Sequence, residues 1–225
     1  MTINDFIVRH LKISHEKAAA QIQLKKILVN GLPAKQRQLV NQSDCIAVDN
    51  KELQTPPAPI YIAYYKPKGV ECTLNPDIND NLFSLLPFKE KLFPVGRLDK
   101  ASEGLLLLTN DGKLYKSIAG ADAKQEKEYV VKVAEKITDN FILQMAGGIK
   151  IMGKTTRPCK VSKIDDFTFR IILTQGLNRQ IRRMCFKLRY QVNFLQRTRI
   201  MGIPLNDLQP GEFRKVSKKE ITGIE

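Results

Sequence analysis

The sequence predicts an α+β protein made of a small N-terminal module and a larger C-terminal domain. The chain has 225 residues, which is longer than a typical domain of about 150 residues. Three prolines fall within positions 56–59, and they indicate a stiff linker at 54–59. On both sides of this linker, segments with helical spacing mix with strand-like segments and form no regular β–α–β series.

Composition indicates a folded protein without a membrane span. Hydrophobic residues make up 43% of the chain and charged residues 27%, which is ordinary globular usage. The longest apolar run, Leu105 to Leu108, is far shorter than the roughly 20 residues that a spanning helix needs. Asp5 and Arg9 stand where a signal peptide would be apolar. We therefore expect a cytoplasmic protein, and we expect it to be a monomer.

The four cysteines predict neither disulfides nor a zinc site. They are separated by 27, 87 and 26 residues, with no C-x-x-C pair, and the chain has only two histidines. Zinc sites and disulfide frameworks use closer and more regular spacings. We expect reduced thiols, no metal and no cofactor.

The net charge indicates a polyanionic partner. The chain has 37 Lys and Arg against 23 Asp and Glu, a formal charge of +14, and a basic protein of this size most often meets nucleic acid. A surface that is basic only for solubility is the alternative, and net charge alone does not separate the two.

The first module is predicted to run from residue 1 to 53 as two helices followed by three strands. Apolar residues recur at helical spacing over 3–11, and Ser14 is placed to cap a second helix. Asn30-Gly31 between apolar stretches is a strong hairpin signal. The segment 45–48 provides a further strand.

The second domain, residues 60–225, mixes strands and helices. A strand at 61–65 leads into a basic loop that carries Lys66 and Lys68, because Pro67 and Gly69 break the pattern. Further strands are predicted at 130–133, 167–173 and 192–195, and helices at 114–119, 141–145 and 177–188.

The segment 95–112 joins a charged stretch to a strand. Four consecutive leucines predict a strand covered on both faces, and Asn110-Asp111-Gly112 predicts a turn before a helix. In extended backbone Arg97 and Asp99 point to one side while Leu98 points to the other. On spacing alone, Asp99 could equally be a cap or a paired surface charge.

The helix predicted at 177–188 carries an unusual charge pattern. Arg179, Arg182 and Arg183 are expected in its early turns, where positive charge opposes the helix dipole. From Gly176 to Asn206 the chain has seven Lys and Arg and no Asp or Glu. These cations are therefore expected to bind anions from elsewhere.

Residues 148–155 match the G-x-x-x-x-G-K-[ST] pattern of phosphate-binding loops. Ile149 and Ile151 alternate as in a strand, however, and Pro158 interrupts the helix that should follow. We therefore predict no nucleotide site here.

Several longer motifs resemble those of one enzyme family. The string GRLDKASEGLLLLTNDG at 96–112, followed by KEYVVKV, GLNRQIRRM and LQPGEFR, resembles the ribosomal-RNA branch of the pseudouridine synthases. This resemblance implies a catalytic domain built on a mixed, mainly antiparallel sheet with a central cleft. It also implies that a uridine in RNA is flipped out and isomerised to pseudouridine without a cofactor. The preceding SHEKAAAQIQLKKILVNGLPAK resembles the S4 RNA-binding domain.

The same resemblance implies roles for individual residues. Asp99 would be the catalytic carboxylate, acting at the ribose C1′ as a nucleophile or as a base. Tyr129 would stack on the uracil, and Arg182 would pair with Asp99 and keep it ionised. Arg97 would help to displace the base or would hold a phosphate. The other residues expected to bind RNA are Lys66, Lys68, Arg179 and Arg183 in the second domain and Lys17, Lys25 and Lys26 in the first.

The expected substrate is 23S ribosomal RNA. QGLNRQIRRMC and RTRIMGIPL are most similar to the F-type enzymes that act on large-subunit RNA. The same reaction on transfer RNA or 16S ribosomal RNA is one alternative, and a non-catalytic ribosome-assembly factor that only binds RNA is another. Residue patterns do not name the target nucleotide, because folded RNA is recognised by shape and by splayed loops.

Overall fold

The computed structural model describes residues 1–55, 57–88, 90–119 and 124–222. Its contacts divide the chain into two compact units, Met1–Pro59 and Ile60–Glu225. None of the helices within the described ranges is long and apolar enough to cross a membrane.

The first unit contains two helices and a four-stranded antiparallel sheet of order β2-β1-β3-β4. The fourth strand was not predicted, because two of its residues, Lys51 and Glu52, are charged and exposed at the sheet edge. It ends at Gln54, so the first residue of the predicted linker belongs to a strand. The elements are α1 Ile3–Leu11, α2 His15–Gln23, β1 Ile27–Val29, β2 Leu32–Pro33, β3 Ile46–Val48 and β4 Lys51–Gln54.

Local sequence chemistry explains these elements. Ser14 caps α2, since its hydroxyl accepts from the Lys17 N–H. Asn30 and Gly31 both have positive φ, 54° and 79°, as a two-residue type I′ hairpin turn requires. Both predictions are confirmed. The helices bury Ile3 and Ile7 among the apolar residues of β1 and β3.

The second unit is built on one nine-stranded mixed sheet of order β11-β12-β8-β13-β7-β5-β15, to which β6 and β14 are added at β7 and β13. A separate hairpin contains β9 and β10. The strands are β5 Tyr61–Lys66, β6 Phe93–Val95, β7 Glu103–Thr109, β8 Lys127–Val133, β9 Lys150–Ile151, β10 Lys154–Thr155, β11 Lys160–Lys163, β12 Thr168–Leu173, β13 Val192–Ile200, β14 Ile203–Pro204 and β15 Phe213–Lys215.

The predicted α+β class is confirmed, with a sheet that is mainly antiparallel. Within the described ranges, β7 and β13 form the one parallel strand pair of this sheet, and its other strand pairs are antiparallel. The helices of this unit are α3 Leu82–Leu85, α4 Gly112–Ala119, α5 Asp139–Gly147, α6 Gln180–Lys187 and α7 Lys218–Thr222.

The leucine-rich strand β7 is covered on both faces, as its sequence predicts. Leu105 and Leu107 belong to one apolar cluster, and Leu106 and Leu108 to another. This division follows from the two-residue period of a strand. A third cluster packs α5 and α6 against the sheet through Phe141, Met184 and their neighbours.

The start of helix α6 differs from the sequence prediction, and the 148–155 segment agrees with it. Helix α6 begins at Gln180 rather than at 177, because Arg179 adopts a left-handed conformation with φ 50°. Arg179 therefore precedes the helix instead of occupying its first turn. The 148–155 segment forms the β9–β10 hairpin, with positive φ at Met152 and Gly153. It is a strand-turn-strand, as the Ile alternation predicts, and not a phosphate loop.

Candidate active site

The candidate site lies beside the parallel pairing of β7 and β13. Gly104 is in register with Arg197, and the two backbones approach very closely. A Cβ on Gly104 would stand 2.4 Å from the Arg197 carbonyl oxygen, and Gly104 has a φ of +104°. Glycine is required here for both reasons. The charged stretch that precedes β7 is thereby held at the centre of the sheet.

Asp99 lies on the loop between β6 and β7. Arg97 is exposed, Leu98 is buried and Asp99 is half-buried, so the alternation predicted for these residues is confirmed. The Ser102 N–H donates to the Asp99 carbonyl oxygen over 3.0 Å, which closes a tight turn after the carboxylate. Leu98 anchors the loop in the α5–α6 side of the core.

Three hydrogen bonds from distant segments hold this loop. The Gly69 N–H donates to the Lys100 carbonyl oxygen over 2.8 Å. The Arg182 Nη2 donates to the Ala101 carbonyl oxygen over 2.8 Å. The Arg197 Nη1 donates to the Arg97 carbonyl oxygen over 3.4 Å. The backbone on either side of Asp99 is thus fixed by the β5–α3 loop, helix α6 and strand β13.

Arg182 approaches Asp99 without forming a direct ion pair. Among the described residues, no salt bridge within 4.0 Å includes Asp99. The terminal nitrogens of Arg182 instead donate to the carbonyl oxygens of Ala101 and Val192 and to the Ser102 hydroxyl. The expected contact pair is therefore corrected to a longer-range attraction, because backbone acceptors occupy the guanidinium.

The electrostatics of Arg182 show that Asp99 is close. Burial and the neighbouring Arg179 lower the pKa of Arg182, and the Asp99 carboxylate acts in the opposite direction. The Arg182 Nε is buried and has no hydrogen-bond partner in the part of the chain that the structure describes. This N–H group of Arg182 is therefore desolvated and makes no hydrogen bond with the described residues.

Tyr129 lies in β8, next to the same core cluster as Leu98. It pairs in register with Arg197 of β13 and with Ile171 of β12. Its side chain is 9% exposed, so most of the ring is packed against the protein.

The structure places the two lysines of the basic loop in different environments. Lys66 is fully buried, and its Nζ donates to the carbonyl oxygens of Pro67 and Val70 over 2.7 and 2.8 Å. Burial lowers the pKa of Lys66 to about 8. We correct its expected role from RNA contact to support of the loop. Lys68 is exposed on the same loop, whose Gly69 contacts Lys100.

The remaining predicted cations lie on the surface. Arg179 and Arg183 are exposed at α6, and Arg183 donates to the carbonyl and side-chain oxygens of Asn178 over 3.0 Å each. In the first unit Lys17, Lys25 and Lys26 are exposed at and after α2. Lys26 also lies 3.6 Å from the Asp49 carboxylate.

Sequence reasoning missed the structural role of Arg197. This residue is 2% exposed, and its Nε donates to the Leu105 carbonyl oxygen over 2.7 Å. Its alternation with buried Leu195 in β13 is the signal that could have found it. The cations of 176–206 were expected to bind anions from other segments, and Arg199 does so by pairing with Glu126 and Glu128.

No group of three or more His, Cys, Asp or Glu that could hold a metal ion occurs within the described ranges. The four cysteines are free thiols.

A family model described as RNA pseudouridylate synthase matches residues 60–187, and the chain belongs to the pseudouridine synthase family. It is 39% identical over 224 residues to a dual-specificity RNA pseudouridine synthase, RluF, of Shigella flexneri, covering 99% of this chain and 77% of that protein.

Two further relatives support this assignment. A ribosomal small subunit pseudouridine synthase A of Pasteurella multocida is 30% identical, covering 98% of each chain. A crystal structure of a pseudouridylate synthase superposes with a TM-score of 0.71 at 26% identity and covers 99% of this chain and 98% of that one. The chain is a pseudouridine synthase that acts on RNA.

Proposed function

We propose that this chain isomerises a uridine in 23S ribosomal RNA and that Asp99 is its catalytic carboxylate. The observation that carries the proposal is the fixation of the Asp99 loop from three sides, with Arg182 nearby. Positioned charge and restricted geometry are what a catalytic group needs. The carboxylate is half-buried rather than enclosed in the core, which leaves it accessible to a nucleotide.

The reaction rearranges one nucleoside without a net change in atoms. The bond from C1′ to N1 of uracil breaks, a bond from C1′ to C5 forms, C5 loses a proton and N1 gains one. A carboxylate beside the sugar can act as a nucleophile at C1′ or as a base on the ribose. Asp99 supplies this group, and its carboxylate interacts electrostatically with Arg182.

The target base must leave its stack before it can react, at a cost of a few kcal/mol. Tyr129 is proposed to stack its ring on the face of the flipped uracil, supported by the packing that holds it in β8. Arg97 is exposed two residues before Asp99 and is proposed to occupy the place of the displaced base or to bind a phosphate.

The first unit is proposed to be an S4-like RNA-binding module at residues 1–53, joined through 54–59 to the catalytic domain at 60–225. Lys17 is exposed in the first turn of α2, and Lys25 and Lys26 are exposed after its last turn. Lys68, Arg179 and Arg183 are proposed to bind phosphates in the catalytic domain. We propose that the protein works in the cytoplasm as a monomer.

The choice of large-subunit RNA rests on the resemblance of QGLNRQIRRMC and RTRIMGIPL to the F-type enzymes. The protein from Shigella flexneri is named as a dual-specificity enzyme, and that from Pasteurella multocida as a ribosomal small subunit enzyme. Transfer RNA and 16S ribosomal RNA are therefore kept as the alternative substrates for this chain. Mapping pseudouridines in ribosomal and transfer RNA from a strain lacking the gene separates these substrates.

The isosteric variant Asp99→Asn tests the catalytic assignment. It should lower pseudouridine formation to below about one per cent of wild type, because a positioned acid–base group contributes roughly 10²–10⁴-fold. Tritium release from RNA labelled at C5 of uridine measures the reaction. RNA affinity in a filter-binding assay should stay close to wild type.

Asp80→Asn is the matched control. Asp80 is an exposed carboxylate that lies 3.6 Å from Lys100, the residue after Asp99, and its variant should retain wild-type turnover. Wild-type turnover in Asp99→Asn would refute the assignment. RNA binding by the wild type with no turnover on ribosomal or transfer RNA would instead favour a non-catalytic assembly factor.

A further inference from the structure

The exposed side of α6 carries an aromatic ring surrounded by cations. Phe186 is 79% exposed, and Met152, at the turn of the β9–β10 hairpin, is 61% exposed. Together with Arg179, Arg183 and Lys187 they line a groove of about 430 Å³. Small-molecule sites fall in the range of roughly 300–1,000 Å³, so the groove has room for part of a nucleotide.

Helix packing does not account for this surface. The core-facing side of α6 is formed by Ile181, Met184 and Cys185, and Phe186 contributes nothing comparable to the core. Arg183 and Lys187 are four residues apart on α6, where like charges destabilise a helix, and Arg179 immediately precedes the helix. Among the described residues, no ion pair within 4.0 Å neutralises these three cations.

Charge and shape together favour single-stranded nucleic acid as the ligand. Proteins bind unpaired strands with cationic grooves that follow the phosphates and with aromatic rings on which bases stack. Arg179, Arg183 and Lys187 supply the charge, and Phe186 supplies the ring. An acidic protein segment would also complement the positive charge, but an exposed flat ring favours a ligand that stacks on it, such as a nucleic-acid base.

The groove adjoins the candidate active site through Arg182. This arginine lines the groove, and it also donates to Ala101 and Ser102, two and three residues after Asp99. A strand whose uridine reaches Asp99 can therefore continue along α6. RNA that has been opened to release one nucleotide has unpaired neighbours that can enter the groove.

We propose that Phe186 stacks on an unpaired base that flanks the target uridine, while Arg183 and Lys187 bind the adjacent phosphates. Met152 packs against the same base from the hairpin side. The nature of the full substrate rests on the proposed function, but the stacking itself needs no catalysis. The site would contribute to substrate affinity and to the choice of flanking sequence.

Binding of a fluorescein-labelled oligouridylate to the full chain tests this inference. Phe186→Ala should raise the dissociation constant roughly five- to tenfold, which corresponds to about 1–1.4 kcal/mol, the lower end of what one base–aromatic stack contributes. Phe186→Trp should keep or improve the affinity, because it retains a stacking surface. Leu143→Ala is the control, since Leu143 is 72% exposed on α5 and does not line the groove.

Turnover on substrate RNA provides the second measurement. Phe186→Ala should raise KM by a similar factor and leave kcat unchanged, as for a contact made equally before and during reaction. Unchanged oligouridylate affinity in Phe186→Ala, or an equal loss in Leu143→Ala, would overturn the inference and point to a protein partner for the groove. Absence of turnover in the wild type would contradict the proposed function while the oligouridylate result still decides the stacking site.

Discussion

Two cations in the catalytic unit are buried and bind main-chain carbonyl oxygens instead of carboxylates. Lys66 donates hydrogen bonds to the carbonyl oxygens of Pro67 and Val70. Arg197 donates to the carbonyl oxygens of Leu105 and Arg97. A buried charge is costly unless its hydrogen bonds are made. Because these acceptors belong to the segments around the Asp99 loop, the two residues stabilise the backbone that places the carboxylate.

Gly104→Ala should be strongly destabilising. The added methyl would stand 2.4 Å from the Arg197 carbonyl oxygen and 2.7 Å from its nitrogen, at a φ of +104°. Backbone strain and the forced separation of β7 from β13 should together lower the free energy of unfolding by about 3 kcal/mol. The shift of the urea midpoint measures this change.

Gly112→Ala is the comparison for this variant. Gly112 is the first residue of α4, and a Cβ there meets nothing within 4 Å. The urea midpoint of Gly112→Ala should therefore equal or exceed that of the wild type. If both variants unfolded at the wild-type midpoint, the close approach at Gly104 would not be a constraint on the fold.

The loop after β5 is the element that links the strand to the Asp99 loop. Lys66 is the last residue of β5, and its Nζ donates to the Val70 carbonyl oxygen across the turn. Within this turn, the Gly69 N–H donates to the Lys100 carbonyl oxygen. Burial lowers the pKa of Lys66 from 10.5 to about 8. The charged form is therefore less favourable in the folded state than in the unfolded chain.

The stability of this element should depend on pH with a definite sign. Between pH 8 and 10 the unfolded chain keeps the Lys66 proton while the folded protein loses it, so folding is favoured as pH rises. Relative to Lys66→Met, the wild type should gain about 2 kcal/mol of unfolding free energy over this interval, since one pKa unit corresponds to about 1.36 kcal/mol.

Urea denaturation of both proteins across this interval, with reductant present, measures the difference. Comparison with the variant removes the contribution of thiols such as Cys185, whose pKa burial raises to about 12. A constant difference between the two proteins from pH 8 to 10 would show that Lys66 titrates normally.

At the scale of the whole molecule, charge is distributed over both units. The formal charge is +14, and exposed lysines of the first unit and arginines of the second provide separate cationic surfaces. Each phosphate contact releases counterions, so affinity for RNA should fall steeply with salt. Contacts in the first unit are expected to add to the affinity for RNA.

The triple variant of Lys17, Lys25 and Lys26 to Gln should weaken RNA binding and leave kcat at saturating RNA unchanged. The slope of log K against log salt should fall in magnitude by about 2 to 3, because three phosphate contacts are lost. The matched control changes Lys12, Lys35 and Lys51, which are exposed on the same unit, to Gln. An equal fall in slope for both variants would show that only net charge matters and not the α2 surface.

Local patterns were sufficient to predict much of this protein from its sequence. The periods of apolar residues, the Ser14 cap and the Asn30-Gly31 turn depend on neighbours along the chain, and all three were predicted correctly. The motif around Asp99 led to the family by resemblance. These features are determined by the sequence itself, since each depends on interactions within a few residues.

Only the tertiary structure decided the features that depend on distant partners. The parallel pairing of Gly104 with Arg197 and the burial of Lys66 could not be read from residue type, because solvent exposure is set by which segments pack together. The same holds for Arg182, whose guanidinium bonds to Ala101 and Val192 instead of forming a direct pair with Asp99. Desolvation and backbone acceptors contributed by other segments determine how a charge is used, and the local sequence contains neither.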